Sequence, residues 1–309
     1  MYMTNGSNQI DPEIVALYGY ALKRDGFLIL PDITWPDTVA SLDKELADRF
    51  EQTPFCIGDF SGPTTKRFGA LLKRSVHAQK LALHPLMLAL AEEALGANCD
   101  SIQLHLTQAI EIHPGAPAQI PHRDQDMYGL GKPHVELCLN VMWPMTEFTA
   151  DNGATTLWPA SMNLPPMAIP GPEAAVRAAM RPGSALVFLG STLHCAGANR
   201  TDRPRRGVAI GYSLGWLKQF ENQYLVYPPE VARNFPRRLA ELVGYRTQRP
   251  NLNNYEGRCP SLLLDGEPDE HLGMIDNLPK DMSALMACHA ADPDAFIARA
   301  AGALTERGG

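Results

Sequence analysis

The chain has 309 residues, 45% of them hydrophobic and 20% charged, with a net charge of −7 and an isoelectric point near 5.7. That length and apolar content can bury one large core, so a single domain over 1–309 is expected, and the acidic balance excludes the basic stripe of a nucleic-acid binder. No apolar run reaches the length of a bilayer-spanning helix, the first residues lack a charged-then-apolar signal, and the six scattered cysteines read as free thiols, so a cytoplasmic enzyme is expected.

Asp11-Pro12-Glu13 combines a capping side chain, a first-turn proline and an acidic residue at the positive end of the helix dipole. The pattern predicts a helix to Arg24 that stops at Asp25-Gly26. A short buried strand over 27–30 follows, and a second helix starts at Pro36-Asp37 and runs to about Gln52. Residues 52–63, with Gly58 and Gly62, read as a loop able to cover a site, and 85–95 as an amphipathic helix ended by Gly96. This helical part spans about 11–97. From Asp100 the hydrophobic period changes to two, and strands are expected over 102–112, 136–143, 155–158, 184–189 and 207–216. Strands joined by short Gly- and Pro-rich turns predict a mainly β fold with flanking helices, the core at about 100–217 being a double-stranded β-helix of the jelly-roll or cupin kind. A helix over 229–244 and an irregular tail after Tyr245 complete the expected 218–309 part.

The β part carries the chemistry. His122 and Asp124 stand one residue apart in Gln119-Ile-Pro-His122-Arg-Asp124, and His194 follows about seventy residues on. Two imidazoles and one carboxylate on one face of a metal leave the other face open, the facial triad of a non-haem Fe(II) oxygenase. Residues i and i+2 of a strand point the same way, so His122 and Asp124 can reach one ion while Arg123 points elsewhere. Arg205 lies eleven residues after His194, at the start of a strand-like run. Such a guanidinium can clamp a carboxylate through paired hydrogen bonds, as a dicarboxylate co-substrate such as 2-oxoglutarate requires. Cys195 would point away from the site, opposite to its neighbour His194.

These segments resemble the phytanoyl-CoA dioxygenase family of Fe(II)/2-oxoglutarate oxygenases, and within it the fungal meroterpenoid oxygenases, from about residue 12 to about residue 250. The resemblance rests on the 114–119 segment, His122-Arg-Asp-Gln125, Asp151-Asn-Gly-Ala-Thr155, Pro182-Gly183, and His194-Cys-Ala-Gly197 with Arg205. It implies that His122, Asp124 and His194 bind Fe(II), that Arg205 pairs with the far carboxylate of 2-oxoglutarate, and that Gln119, Thr155, Arg67 and Asn140 lie around that co-substrate. The loop after His194 is shorter than in the meroterpenoid enzymes; strand alternation lets only one of Arg205 and Arg206 face inward, and Arg205 is chosen. The expected partners are dioxygen and an apolar small molecule, a terpenoid or similar secondary metabolite, with a homodimer left open. Since the metal carboxylate Asp124 is retained, hydroxylation, desaturation or rearrangement is expected rather than halogenation.

Alternatives are a phytanoyl-CoA-like acyl-CoA hydroxylase, for which Lys66, Lys73 and Arg74 supply part of a phosphate patch, a cupin-type metal-dependent isomerase, and a metal-binding protein without catalysis. The substrate walls are expected from 56–68, 126–131 and the region after Trp216, with Met127 and Tyr128 the named contacts. His105 and His113 flank one strand and either orient the site or pack, and His134 begins the next strand. Trp143, Trp158 and Trp216 are read as core, and Cys288-His289 as a helix face.

Overall fold

The Asp11 carboxylate accepts from the backbone N–H of Glu13 at 2.9 Å and opens α1 (Pro12–Asp25), which ends where Gly26 turns into the left-handed region. The computed structural model that gives these elements describes residues 10–130, 135–278 and 280–298. α2 (Pro36–Gln52) buries Val39, Leu42, Leu46 and Phe50, a stripe at helical spacing. α3 (Val76–Ala82) and α4 (Pro85–Leu95) follow. α4 packs against α1 and, through Leu86, Met87, Leu90, Ala91 and Leu95, the main sheet.

Among the described residues nine strands form two sheets: β1 (Phe27–Leu30), β2 (Thr65–Phe68), β3 (Ile102–Ile112), β4 (Cys138–Pro144), β5 (Thr155–Leu157), β6 (Val176–Arg177), β7 (Ala185–Leu189), β8 (His194–Ala196) and β9 (Arg205–Leu214). The six-stranded sheet has the order β1-β7-β4-β9-β3-β2, each strand antiparallel to its neighbours, and the smaller sheet is β6-β5-β8. Ile110, Ile112, Met142, Leu186 and Phe188 of the large sheet pack with Leu157, Met180 and Phe148, which buries one apolar cluster between the sheets. β4 is buried along its whole length. Asn140 and Met142 face a cavity, while Trp143, on the alternate face, meets the ring of His84.

The strands and helices arise largely where expected, with five physical corrections. Phe27–Leu30 is half-buried rather than buried, because β1 is an edge strand. Unlike β8, which carries His194 on a strand as its ligand role requires, β2 and β6 were not expected: each is four residues or fewer, too short for alternation to register. α3 escaped notice in the same way. The helix expected over 229–244 is broken into α6 (Pro229–Ala232) and α7 (Arg237–Val243), since Pro236 cannot donate to a preceding turn; the short α5 (Gln223–Val226) precedes them. Trp216 is not core but 46% exposed, its indole N–H donating to Asn98 O at 2.8 Å. Trp143 and Trp158 are buried.

The chain forms two compact units, one up to Tyr245 and one from Arg246. The boundary therefore falls inside the part expected as helix and tail. The second unit is not wholly irregular. It holds single bridges at Gln248–Leu252 and Tyr255–Arg258, a 3₁₀ turn (Pro260–Leu264) and the helix α8 (Lys280–Ala291). α8 is rich in Ala, Met and Leu, strong helix formers outweighed in the sequence by the Asn, Pro and Gly before them. Cys288 and His289 lie on it. Among the described residues no helix is long and apolar enough to cross a membrane; His134 lies outside them.

Candidate active site

β8 brings His194 beside His122 through a reciprocal backbone bridge, each N–H donating to the other's carbonyl at 2.9 Å. His122 is thus extended, but the strand expected there is a single bridge. Asp124 opens a 3₁₀ turn (Asp124–Tyr128) instead of continuing it. The turn still serves the ion. Among the described residues, His122, Asp124 and His194 each bring one ligand atom to within 4.8 Å of the others. Asp124 Oδ1 is 3.5 Å from His122 Nε2, and Asp124 Oδ2 is 3.6 Å from His194 Nε2. Arg123 turns away, donating to Ser161 O at 3.0 Å.

The hydrogen bonds of the triad suit a metal. His122 Nδ1 lies 2.9 Å from Ile120 O and His194 Nδ1 lies 3.0 Å from Thr192 O. A carbonyl only accepts, so both Nδ1 atoms carry the proton and both Nε2 lone pairs point at the shared position. Burial raises the Asp124 pKa, but His194 and then His122 overcome it, and the carboxyl stays below its usual range. Burial lowers the pKa of His194. Asn140 Nδ2 donates to Asp124 Oδ2 at 2.7 Å and fixes the carboxylate.

The triad opens onto a cavity of about 410 Å³ between the two sheets. Strand alternation supplies its lining: Leu106, Gln108, Ile110 and Ile112 from β3, Asn140 and Met142 from β4, Arg205 and Ala209 from β9, and His194 and Ala196 from β8. Arg205 is 2% exposed. Its Nη2 donates to Gly153 O at 2.5 Å, and its guanidinium carbon sits 3.9 Å from the Phe148 ring centroid. Gly153 has φ +91, and a Cβ there would lie 2.8 Å from Gly197 O, so only glycine brings that acceptor to the arginine. Arg206, one residue on, faces the other way and pairs with Glu111 at 2.5 Å and Asp43 at 3.4 Å.

Arg67 lines the same cavity and donates to Gln108 Oε1 at 3.2 Å. Burial, with Arg67 nearby, pulls the Arg205 pKa down to about 9, and burial also lowers that of Arg67. The Nε atoms of both arginines are buried without a partner, and among the described residues neither arginine pairs with a carboxylate. Two unpaired cations in one apolar cavity match a dianionic ligand. Thr155 is also on its wall, and Gln119 reaches it with Nε2 donating to Phe60 O at 3.1 Å.

All three expected wall segments contribute, through Phe60, through Asp126 and Met127, and through Phe220. Tyr128 does not line the cavity; its hydroxyl donates to Lys218 O at 2.9 Å and lies 3.3 Å from His105 Nδ1. The 3₁₀ turn, in place of a strand, causes this, since neighbouring residues there splay apart. Three aromatic residues escaped the residue-by-residue reading. Phe188 stacks at 4.6 Å from the His194 ring and Phe60 at 4.9 Å from the His122 ring, while Phe220 closes the mouth. Phe188 alternates on an expected strand, and the other two lie in expected wall segments, so the signal was present but unspecific. Cys195 packs away from the triad beside Trp158 and Leu193, its thiol pushed up to about 11 by burial.

The sequence pattern of the phytanoyl-CoA dioxygenase (PhyH) family matches residues 22–207. The chain belongs to this family. It is thereby a dioxygenase dependent on Fe(II) and 2-oxoglutarate, with a His-Asp-His group fit for the ion. The oxygenase is 32% identical over 237 residues to dioxygenase trt7 of Aspergillus terreus, covering 73% of this chain and 82% of that one. It is 29% identical over 245 residues to the multifunctional dioxygenase ausE of Aspergillus calidoustus, covering 74% and 82%. In fold the oxygenase is similar to the epimerase SnoN crystallised with Fe3+, alpha ketoglutarate and nogalamycin RO, with a TM-score of 0.55 at 18% identity, covering 87% of this chain and 96% of that one.

Proposed function

We propose that the chain oxidises an uncharged, apolar small molecule, a terpenoid or meroterpenoid-type secondary metabolite, within a double-stranded β-helix formed by the two sheets. The carrying observation is that the three convergent ligands and the unpaired Arg205 share one apolar cavity. In this reading His122 and His194 hold the ion through Nε2, their Nδ1 protons anchored on carbonyls, and Asp124 completes the set with Asn140 fixing its second oxygen. Arg205 holds the far carboxylate of 2-oxoglutarate, with Arg67, Thr155 and Gln119 around the same molecule. When bound, iron with 2-oxoglutarate supplies the activation of dioxygen and the oxidation of an unactivated C–H bond, with succinate and carbon dioxide as co-products. Phe60, Met127, Phe188 and Phe220 exclude water and turn the substrate's reacting carbon toward the triad.

The relatives' names support an oxygenase of secondary metabolism, and a multifunctional relative fits more than one oxidation outcome. An acyl-CoA substrate is disfavoured because Lys66, Lys73 and Arg74 are not on the cavity; Lys66 donates to Phe50 O and Lys73 to Val226 O. The isomerase reading leaves Arg67 and Arg205 without a task. The same reading assigns the enzyme to the reducing cytoplasm, in keeping with six unpaired cysteines. The test is succinate formation from 2-oxoglutarate with and without added iron, followed by a substrate screen scored by oxygen consumption. Iron-dependent succinate that rises with a terpenoid substrate is expected, and 2-oxoglutarate left unconsumed under every iron condition would overturn the reading.

A further inference from the structure

The pairing of β3 with β9 slips once. Leu104 faces Tyr212 and Leu106 faces Gly211, so His105 is the extra residue of a bulge. Bulges re-aim a side chain and recur beside active sites. This one removes His105 from the alternation that would have grouped it with Thr107, Ala109, Glu111 and His113, and brings its ring, 0% exposed, to the side of Leu106 beside Gly211. A Cβ placed on Gly211 would lie 2.5 Å from Asn140 Oδ1 and 3.3 Å from His105 Cδ2. The two side chains therefore flank the room left by one missing methyl group, and the His105 carbon that borders it, Cδ2, is bonded to Nε2.

The protons of that pair can be assigned. The backbone N–H of Phe220 points at His105 Nδ1 at 3.3 Å, and an N–H only donates. Nδ1 is then the acceptor, and the neutral ring carries its proton on Nε2. The Tyr128 hydroxyl, 3.3 Å from Nδ1, is compatible, since it gives its hydrogen to Lys218 O or to the ring. A proton on Nδ1 would instead strip the Phe220 amide of its acceptor. Burial pulls the His105 pKa down to about 4, so the ring is neutral at working pH. His105 Nε2 has no partner among the described atoms, and neither has Asn140 Oδ1, whose amide nitrogen is committed to Asp124. A buried donor and a buried acceptor beside the same glycine are both costly to leave unpaired, and one shared partner would satisfy both.

We propose that His105 is a positioning residue for the metal carboxylate: its Nε2–H holds Asn140 Oδ1 through one water, and Asn140 holds Asp124 Oδ2. The inference rests on the reading of His122, Asp124 and His194 as metal ligands. It links the backbone N–H of Phe220, in the substrate wall, to the orientation of Asp124 through His105, one water and Asn140. A packing role for His105 would tolerate any side chain of equal volume; a positioning role requires a donor at Nε2.

The test is titration of the full chain with cobalt(II), followed by absorption, in the wild type and in His105→Leu, His105→Gln and Asp124→Ala. Loss of the outer hydrogen bond should weaken cobalt binding about 10–100-fold in His105→Leu, while His105→Gln, whose amide restores a donor, stays within about threefold of wild type. Wild-type affinity in a folded His105→Leu, or no recovery in a folded His105→Gln, overturns the proposal and leaves the triad untouched. Failure of the wild type to bind cobalt, or wild-type binding by Asp124→Ala, overturns the metal-site reading and this inference with it. Should the leucine variant not fold, nitrogen NMR of the wild type decides: a proton on His105 Nε2 supports the relay, and one on Nδ1 overturns it.

Discussion

The inner end of the cavity and its mouth are built from different materials. Arg67, Gln108, Thr155 and Arg205 come from β2, β3, β5 and β9, where backbone pairing dictates which way each points. Phe60, Met127 and Phe220 come from segments outside any strand, and are 54%, 49% and 56% exposed. In the proposed reading, recognition of the co-substrate is thus tied to sheet register, and recognition of the substrate to loops that can change without disturbing it. The metal ligands sit between the two, His194 on β8 and Asp124 on the turn that leads to Met127.

The hardest blow to this division is removal of a ligand. His194→Ala or Asp124→Ala should abolish iron-dependent turnover and bound metal, a loss beyond the roughly 10–100-fold that an outer hydrogen-bond partner is worth. Near-normal iron content in either variant breaks the metal assignment. Next in size is the pair on β9. Arg205→Ala should raise the 2-oxoglutarate concentration needed by about 30–100-fold, near 2–3 kcal/mol for lost charged hydrogen bonds, with Arg67→Ala doing less. Arg206→Ala should leave that constant alone and instead lower the melting temperature, because Glu111, 2% exposed, loses its 2.5 Å partner. The reverse pattern would mean that the inner end is read one residue out of register.

A third expectation concerns the turn that delivers His194. Glu136 accepts from Ser191 N at 3.0 Å and Ser191 Oγ at 2.5 Å, and burial pushes its pKa up to about 7 from the ordinary 4.5. A carboxyl whose folded pKa is raised binds its proton more tightly when folded. Its contribution is full below pH 4.5 and is lost as pH rises through about 7, to a total of up to about 3 kcal/mol. Urea unfolding at pH 5 and pH 8 should show that loss in the wild type, and Glu136→Gln should remove it; equal slopes in the two proteins would show that Glu136 is ionised throughout. Smallest in energy are the mouth variants. Met127→Ala and Phe220→Ala should change substrate affinity or product ratio by about 1–3 kcal/mol while 2-oxoglutarate binding in the absence of substrate holds. Tyr128→Phe, outside the cavity, should alter products less than either. If the mouth variants lose 2-oxoglutarate binding, the two ends are not separate.

Much of the inner end was legible because period-two patterning is a local property. The limits of β3 match those expected; strand alternation required that only one of Arg205 and Arg206 face inward, and the cavity is lined by Arg205. The triad could be recognised without its true backbone: the single bridge at His122 and the turn at Asp124 together achieve what a strand would have. The mouth was legible only as segments. Which of Met127 and Tyr128 enters the cavity depends on a 3₁₀ turn that no periodicity announces. The bulge at His105 is likewise invisible in sequence, since it arises from how β3 meets β9 and not from β3 alone.

The seam between β3 and β9 carries one more implication, for insertions and deletions. Ile112 faces Arg205 and Glu111 faces Arg206, and the ladder continues without a slip as far as Leu106 and Gly211. In the 197–204 connection Asn199, 1% exposed and donating to Ile112 O at 2.9 Å, is fixed, but the exposed residues after it can gain or lose members of either number, because their length does not enter that ladder. A single residue added within the ladder is another matter: it would exchange inside for outside along the rest of the strand, bringing Arg206 to the cavity and carrying Arg205 out to Glu111. Relatives and engineered variants should therefore differ freely in the connection after Asn199 and keep the parity of the strand.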